Sequence, residues 1–218
     1  MQANNCLEKE TSSLQIPAFA PVISPLDNMQ FVEELPPPLH VVKGTALLRQ
    51  DEPVKTVYLI QDGLVKLSYL SDSGHEVTLG LRTEGWYAGA ASALLNTPAP
   101  YTVETVVACS VSRIPVRNIS YYLMQNPKAT IHFISVLCQE HVSQSRAQLE
   151  LMASSAEDRL ERFMQERDAH QERWTTLDPW PLMKQMDIAK LLGITPEHLS
   201  RLIRKRHHGR ESLRAIAK

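Results

Sequence analysis

The apolar positions of this chain follow three rhythms in succession. Between residues 39 and 115, short segments at 56–60, 64–70, 76–81 and 101–107 alternate apolar and polar and are rich in β-branched and aromatic residues. A period of two in such residues predicts half-buried strands. Turn signals separate them at Asp62-Gly63, Asp72-Ser73-Gly74-His75 and Glu84-Gly85. Six of the eight glycines lie between 44 and 89, each expected where a strand ends. Many short strands at this spacing predict a sandwich, jelly roll or barrel.

From Pro127 the rhythm is helical. Ile131, Ile134, Cys138, His141, Ser145, Gln148 and Met152 recur at steps of three and four, the seam of a helix that pairs with a copy of itself. A helix of about 26 residues here would reach about 39 Å, long enough for a dimer interface. Its alternative role is as a core helix of a monomer. Phe133, Leu137, Val142 and Leu149 form a second ridge, expected to pack on the β module. Ser154-Ser155 before Glu157-Asp158 predicts a capped start to another helix, with Leu160, Phe163 and Met164 inward. Residues 170–183 read as an extended connection.

The third rhythm occupies 185–204. Met186, Ile188, Ala189, Leu191 and Leu192 give a short helix an apolar side that runs into Gly193. Thr195-Pro196 then starts a second helix, Thr capping free amides and Pro suiting the first helical position. Two helices at a sharp angle around a glycine-containing turn make a helix-turn-helix. Ile194, Leu199 and Leu202 pin the second helix to the first. Glu197, His198, Ser200, Arg201 and Arg204 are left outside, a polar face of the kind that reads bases. An ordinary helical hairpin would not need that face.

Charge strengthens this reading. The net charge is −1, yet residues 184–218 hold nine Lys/Arg against three acids, while 1–183 hold 14 against 21. A basic end on an acidic body suits phosphate binding. No run of eighteen apolar residues predicts a membrane span. Glu8, Lys9 and Glu10 stand where a signal peptide would be apolar, so a cytoplasmic protein is expected. Cys6, Cys109 and Cys138 lack metal or disulfide spacing. The expected domains are a tail (1–20), a β-roll sensor domain (21–126), a dimerisation helix (127–153) and a helix-turn-helix domain (154–218). The roll domain would open with a short helix over 25–35, stopped by Pro36-Pro37-Pro38.

This order of β roll, long helix and helix-turn-helix resembles the Crp/Fnr family of bacterial transcription regulators, over roughly residues 39–206. Local wording carries the likeness: Lys43-Gly44, Tyr58-Leu59-Ile60 with Gly63 and Val65, Ser155-Ala156-Glu157-Asp158-Arg159-Leu160, and Asp187-Ile188-Ala189 through Leu191-Leu192-Gly193-Ile194-Thr195. The resemblance implies an α+β fold: a jelly-roll, cyclic-nucleotide-binding-like N-terminal domain, a dimer helix and a C-terminal winged helix-turn-helix. The partners implied are double-stranded DNA, a second copy of the chain and RNA polymerase. Glu197, Ser200 and Arg201 match the Fnr-like pattern, which implies palindromes with TTGAT-type half-sites. Arg201 suits guanine, Glu197 suits cytosine N4, and Ser200 suits a base edge or a phosphate. Thr195, His198, Arg204, Lys205 and Arg206 are the candidate phosphate contacts. The resemblance puts an effector pocket at Trp86, Tyr87, Gly89, Ala90 and Ser92, with Gln144 and Ser145 from the long helix. Small apolar residues there suggest a pocket filled by its own side chains.

Three departures matter. Members that bind cyclic AMP have Gly-Glu followed about ten residues later by Arg-Ser or Arg-Thr; here Gly89 precedes Ala90, and the later place is Pro100-Tyr101. A buried cyclic phosphate would be uncompensated, so cyclic AMP is disfavoured. The Fnr iron–sulfur type needs clustered N-terminal cysteines; Cys6 stands alone and Cys109 suits a buried structural role, so no cluster or other metal site is expected. Haem stays open as a cofactor, with His75 read as a turn residue and His141 as a seam residue. Residues 207–214 have too few strand formers for a full wing, which is expected to be missing, helical or truncated. A cupin-like metalloenzyme, the rival on the same scaffold, would need a His-x-His pair, and His40 and His75 lack that pattern. The protein is expected not to be an enzyme.

Overall fold

A computed structural model of the protein describes residues 36–169 and 183–216. The expected tail at 1–20, the helix at 25–35 and all but the last residue of the 170–183 connection lie outside the described residues. The elements in chain order are β1 (Leu39–Val41), β2 (Ala46–Leu48), β3 (Thr56–Asp62), β4 (Val65–Leu70), β5 (Glu76–Arg82), β6 (Tyr87–Ala88), α1 (Ala90–Leu95), β7 (Thr102–Thr105) and β8 (Cys109–Pro115). Then come α2 (Val116–Gln125), α3 (Pro127–Ala153), α4 (Ala156–Ala169), α5 (Gln185–Leu191) and α6 (Pro196–Ile216).

The strands form two four-stranded antiparallel sheets, ordered β1-β8-β3-β6 and β2-β7-β4-β5. Their inner faces bury Val57, Leu59, Val65, Leu67, Val103 and Val111, as a period of two across a two-layer core requires. Phe133 and Val136 of α3 close the same core. Gly63 takes φ +109°, and a Cβ there would fall 2.5 Å from the Cys109 sulfur. One glycine departs from expectation: Gly80 ends no strand but lies inside β5. A Cβ there would fall 2.6 Å from Nη1 of Arg82, so the glycine clears room for a buried guanidinium.

The two sides of α3 differ. Ala129, Phe133, Val136 and Ser143 are buried toward the rest of the chain. The predicted seam is bare: Ile131 is 67% and Met152 78% exposed, and Ile134, Cys138, His141 and Gln148 are exposed too, with Ser145 half-buried. Leu149 and Val142, expected on the roll, are exposed as well. Val142 and Leu149 share the outward part of the helix with the seam, because they follow Phe133 by about two and a half and four and a half turns and so face the opposite side.

A second core joins the roll to the C-terminal helices. Leu64, Leu81 and Val106 from the roll are buried with Leu160, Phe163, Ile188, Leu192 and Leu199. Ion pairs flank this core: Lys66 with Asp187 at 3.3 Å, and Lys190 with Glu76. Lys190, ahead of desolvation and of the more distant Lys66, holds the Glu76 carboxyl below its usual range. No helix among the described residues is long and apolar enough to cross a membrane. The stretch expected to replace a full wing is helical, since α6 runs on to Ile216.

Candidate nucleic-acid interface

The helix-turn-helix is built by α5 and α6 around Gly193, whose φ of +63° is one that glycine adopts without strain. A Cβ there would fall 2.8 Å from Leu151 of α3, so the turn also nests on the end of the long helix. Ile188, Ala189, Leu191, Leu192 and Leu199 are buried, with Ile194 and Leu202 packed against them. Met186 departs from expectation: it is about half exposed, because the helix is short and its first turn projects beyond the core.

Capping fixes the ends of these helices. The Ser155 hydroxyl accepts the Asp158 amide at 3.1 Å and donates to the Asp158 carboxylate at 2.6 Å. The Ser155 amide donates to the same carboxylate, making a reciprocal capping box. Thr195 caps α6, accepting the His198 amide at 3.2 Å. The carboxyl of Glu197 is held below its usual range, first by its own backbone amide and then by the Thr195 hydroxyl. Thr195, a predicted phosphate contact, is thus occupied in shaping the helix start.

The predicted base readers lie together on the first turns of α6. Glu197 and Arg201 are exposed and Ser200 is half-buried. Arg204, also exposed, donates to the Ser200 carbonyl at 3.3 Å. The other predicted phosphate contacts fare differently. Lys205 pairs with Glu157 at 3.0 Å and Arg206 with Glu161 at 3.2 Å, both acids from α4. His198 is half-buried.

Sequence reasoning passed over a residue that holds this assembly. Arg159 is buried and donates from Nε to the Leu192 carbonyl at 2.9 Å and from Nη1 to the Ser154 carbonyl at 2.5 Å. It ties α4 to the end of α5, just before the turn. The available signal was a charge between Asp158 and Leu160, on the side of the helix that also carries Phe163.

The predicted effector residues from the roll are packed into it, whereas on α3 Gln144 is exposed and Ser145 half-buried. Trp86, Tyr87, Ala90 and Ser92 are buried, and Gly89 takes φ +82° at the start of α1. Tyr87 meets Phe133 edge-on at 5.1 Å, and Ser92 donates to the Pro98 carbonyl at 3.3 Å. Gln144 donates to Glu140 at 2.6 Å. Glu140 accepts two bonds from Arg82, at 2.5 Å from Nε and 2.6 Å from Nη2. This bidentate pair bridges β5 and α3, and neither partner was singled out in the sequence. A cleft of about 400 Å³ opens past Leu47, Arg49, Glu52, Lys55 and Tyr58, and none of the predicted effector residues lines it.

Cys109 is buried and donates its thiol weakly to the Val107 and Leu64 carbonyls. Burial pushes that thiol up to about 11. His40 lies in β1 and His75 in the exposed β4–β5 turn, so the two fall on different sheets.

Residues 38–126 match the family model for the cyclic nucleotide-binding domain. The chain is 26% identical over 207 residues to the transcriptional activator protein Anr of Pseudomonas protegens, covering 93% of this chain and 83% of that protein. Among solved structures it is similar to the c-di-GMP-responsive global regulator CLP of Xanthomonas campestris, with a TM-score of 0.67, 17% identity, and 79% of this chain and 86% of that one covered. FixK2 of Bradyrhizobium japonicum is also similar, with a TM-score of 0.62, 19% identity, and 79% and 84% covered. Both structures share the fold of a β roll followed by helices. The chain thus shares its fold with these two structures, and over most of its length it is similar in sequence to a transcriptional activator.

Proposed function

We propose that the protein acts in the cytoplasm as a homodimer on palindromic DNA with TTGAT-type half-sites, without cyclic AMP, and works through RNA polymerase. The observation that carries this reading is the outer face of α6, where Glu197, Ser200 and Arg201 cluster at the start of a capped, packed helix. Arg201 would donate two bonds to guanine, Glu197 would accept from cytosine N4, and Ser200 would add a base or phosphate contact. Arg204 is the readiest phosphate contact, with His198 and Thr195 at the helix start. Lys205 and Arg206 would first have to leave Glu157 and Glu161. The bare α3 seam through Ile131, Ile134, Cys138, His141, Ser145 and Met152 would meet its copy, which gives the two-fold symmetry a palindrome requires. The sensor domain is 21–126 in this scheme, the dimer helix 127–153 and the DNA-binding domain 154–218.

Fluorescence anisotropy on a labelled palindrome tests the reading. Arg201→Ala is expected to weaken specific binding by about 1–3 kcal/mol and relax choice at one base pair. Equal affinity of the unaltered protein for scrambled DNA would overturn it. Haem is the specific rival as an effector, and an absorbance spectrum of freshly purified protein decides it.

A further inference from the structure

The interior of the roll is closed by its own chemistry. Arg82 ends β5 with its guanidinium buried, and each of its three nitrogens is used: Nε and Nη2 on Glu140, Nη1 on the Leu81 carbonyl at 2.6 Å. Gln144, one of the predicted effector residues, donates to the same Glu140 carboxylate. Trp86, another, lies under the guanidinium with its ring centre 5.8 Å away. Gly80 leaves the space the guanidinium occupies. Tyr101 stays a neutral phenol beside the pair, pushed up to about 12 by burial and then by Glu140.

We propose that the Arg82–Glu140 pair is a built-in stand-in for a bound effector, joining the roll to α3 and holding the DNA-reading arrangement without a small-molecule ligand. The proposal deepens the regulator reading above and rests on it. A ligand shifts a two-state protein only through contacts that differ between the states. A molecule wedged between β5 and α3 would supply such contacts; here a cation from the strand and a carboxylate from the helix supply them in a permanent bidentate bond. An anionic ligand would have to displace Glu140 from Arg82 and leave two negative groups together in a buried site, so it is repelled. Strand β5 also touches the DNA-binding domain. Leu81 is buried in the core shared with Ile188 and Leu192, and Glu76 pairs with Lys190 of α5. One strand therefore carries the clamp and supports the helix-turn-helix.

The test uses the full-length protein, unfolded and refolded to strip small molecules, and checked as ligand-free by native mass spectrometry. The ligand-free protein is expected to bind the palindrome fully, with cyclic AMP at 1 mM (about a saturating dose for nucleotide sensors) changing nothing. Glu140→Gln, which keeps the shape and removes the charge, is expected to weaken DNA binding and dimerisation about tenfold or more, with faster amide exchange in β5 and α3. Should that variant lose cooperative melting, Arg82→Met/Glu140→Leu replaces the pair by apolar groups of similar size, which usually preserves stability. It is expected to melt normally and still lose about tenfold in DNA affinity. Unchanged DNA affinity in whichever variant folds overturns the proposal, as does ligand-free protein that binds only after a small molecule is added. If the unaltered protein reads no such palindrome, the half-site reading fails by itself. The clamp is then judged by the dimer dissociation constant in sedimentation, and an unchanged value in Glu140→Gln overturns it.

Discussion

Arg82 and Arg201 carry the same guanidinium in two regions, one sealed inside the roll and the other standing on the outer face of α6. Inside, every nitrogen has a protein partner, and the strand, the long helix and Gly80 are shaped around the group. Outside, Arg201 is exposed on a helix whose packing is done by Leu199 and Leu202. A charge satisfied internally contributes to architecture; a charge left to water is available to a partner. The same side chain therefore makes opposite demands on an experiment.

The sharpest way to break this contrast is to truncate the inner arginine. Arg82→Ala leaves Glu140 in a nearly closed site without its partner, and is expected to cost about 3–5 kcal/mol of folding stability in a urea titration. Leu199→Ala is expected to follow at about 2–5 kcal/mol, because a fully buried leucine between α5 and α6 leaves a cavity. Arg201→Ala should lie within about 0.5 kcal/mol of the unaltered protein in the same titration, while losing the DNA affinity stated above. Equal stability losses at Arg82 and Arg201 would erase the distinction.

The smallest expected effect concerns pH. Burial lowers His132 below its usual range, with its Nε2 unpartnered and its ring beside Tyr87. The folded chain therefore prefers neutral imidazole. Stability is intact above the unfolded-state value of about 6.5 and declines as pH falls through the lowered folded value. His132→Phe should flatten that part of a melting-temperature profile between pH 7 and 5. A profile that keeps its slope would assign the decline to other groups.

Much of the fold was legible because it is periodic. Alternation marked β3, β4, β5 and β7, the three–four spacing marked α3, and Gly193 with Thr195-Pro196 marked the turn and the start of α6. What escaped depends on partners far along the chain. Arg82 and Glu140 are 58 positions apart, and only the shared inward face of Thr78, Gly80 and Arg82 hints at a buried charge. Lys205 and Arg206 look like free phosphate contacts until α4 brings Glu157 and Glu161 beside them. β1 and β2, of three residues each, and the two-residue β6 are too short for any rhythm to show.

The packing of Cys109 against Gly63 has a practical use. With the thiol buried and its ionisation suppressed, an alkylating reagent reaches it only when the roll opens. Cys138 lies on the α3 seam, so its labelling reports instead whether that face is covered by a second copy. Read separately, the two labelling rates make the chain its own clock, one counting how often the roll comes apart and the other how often the long helix is uncovered.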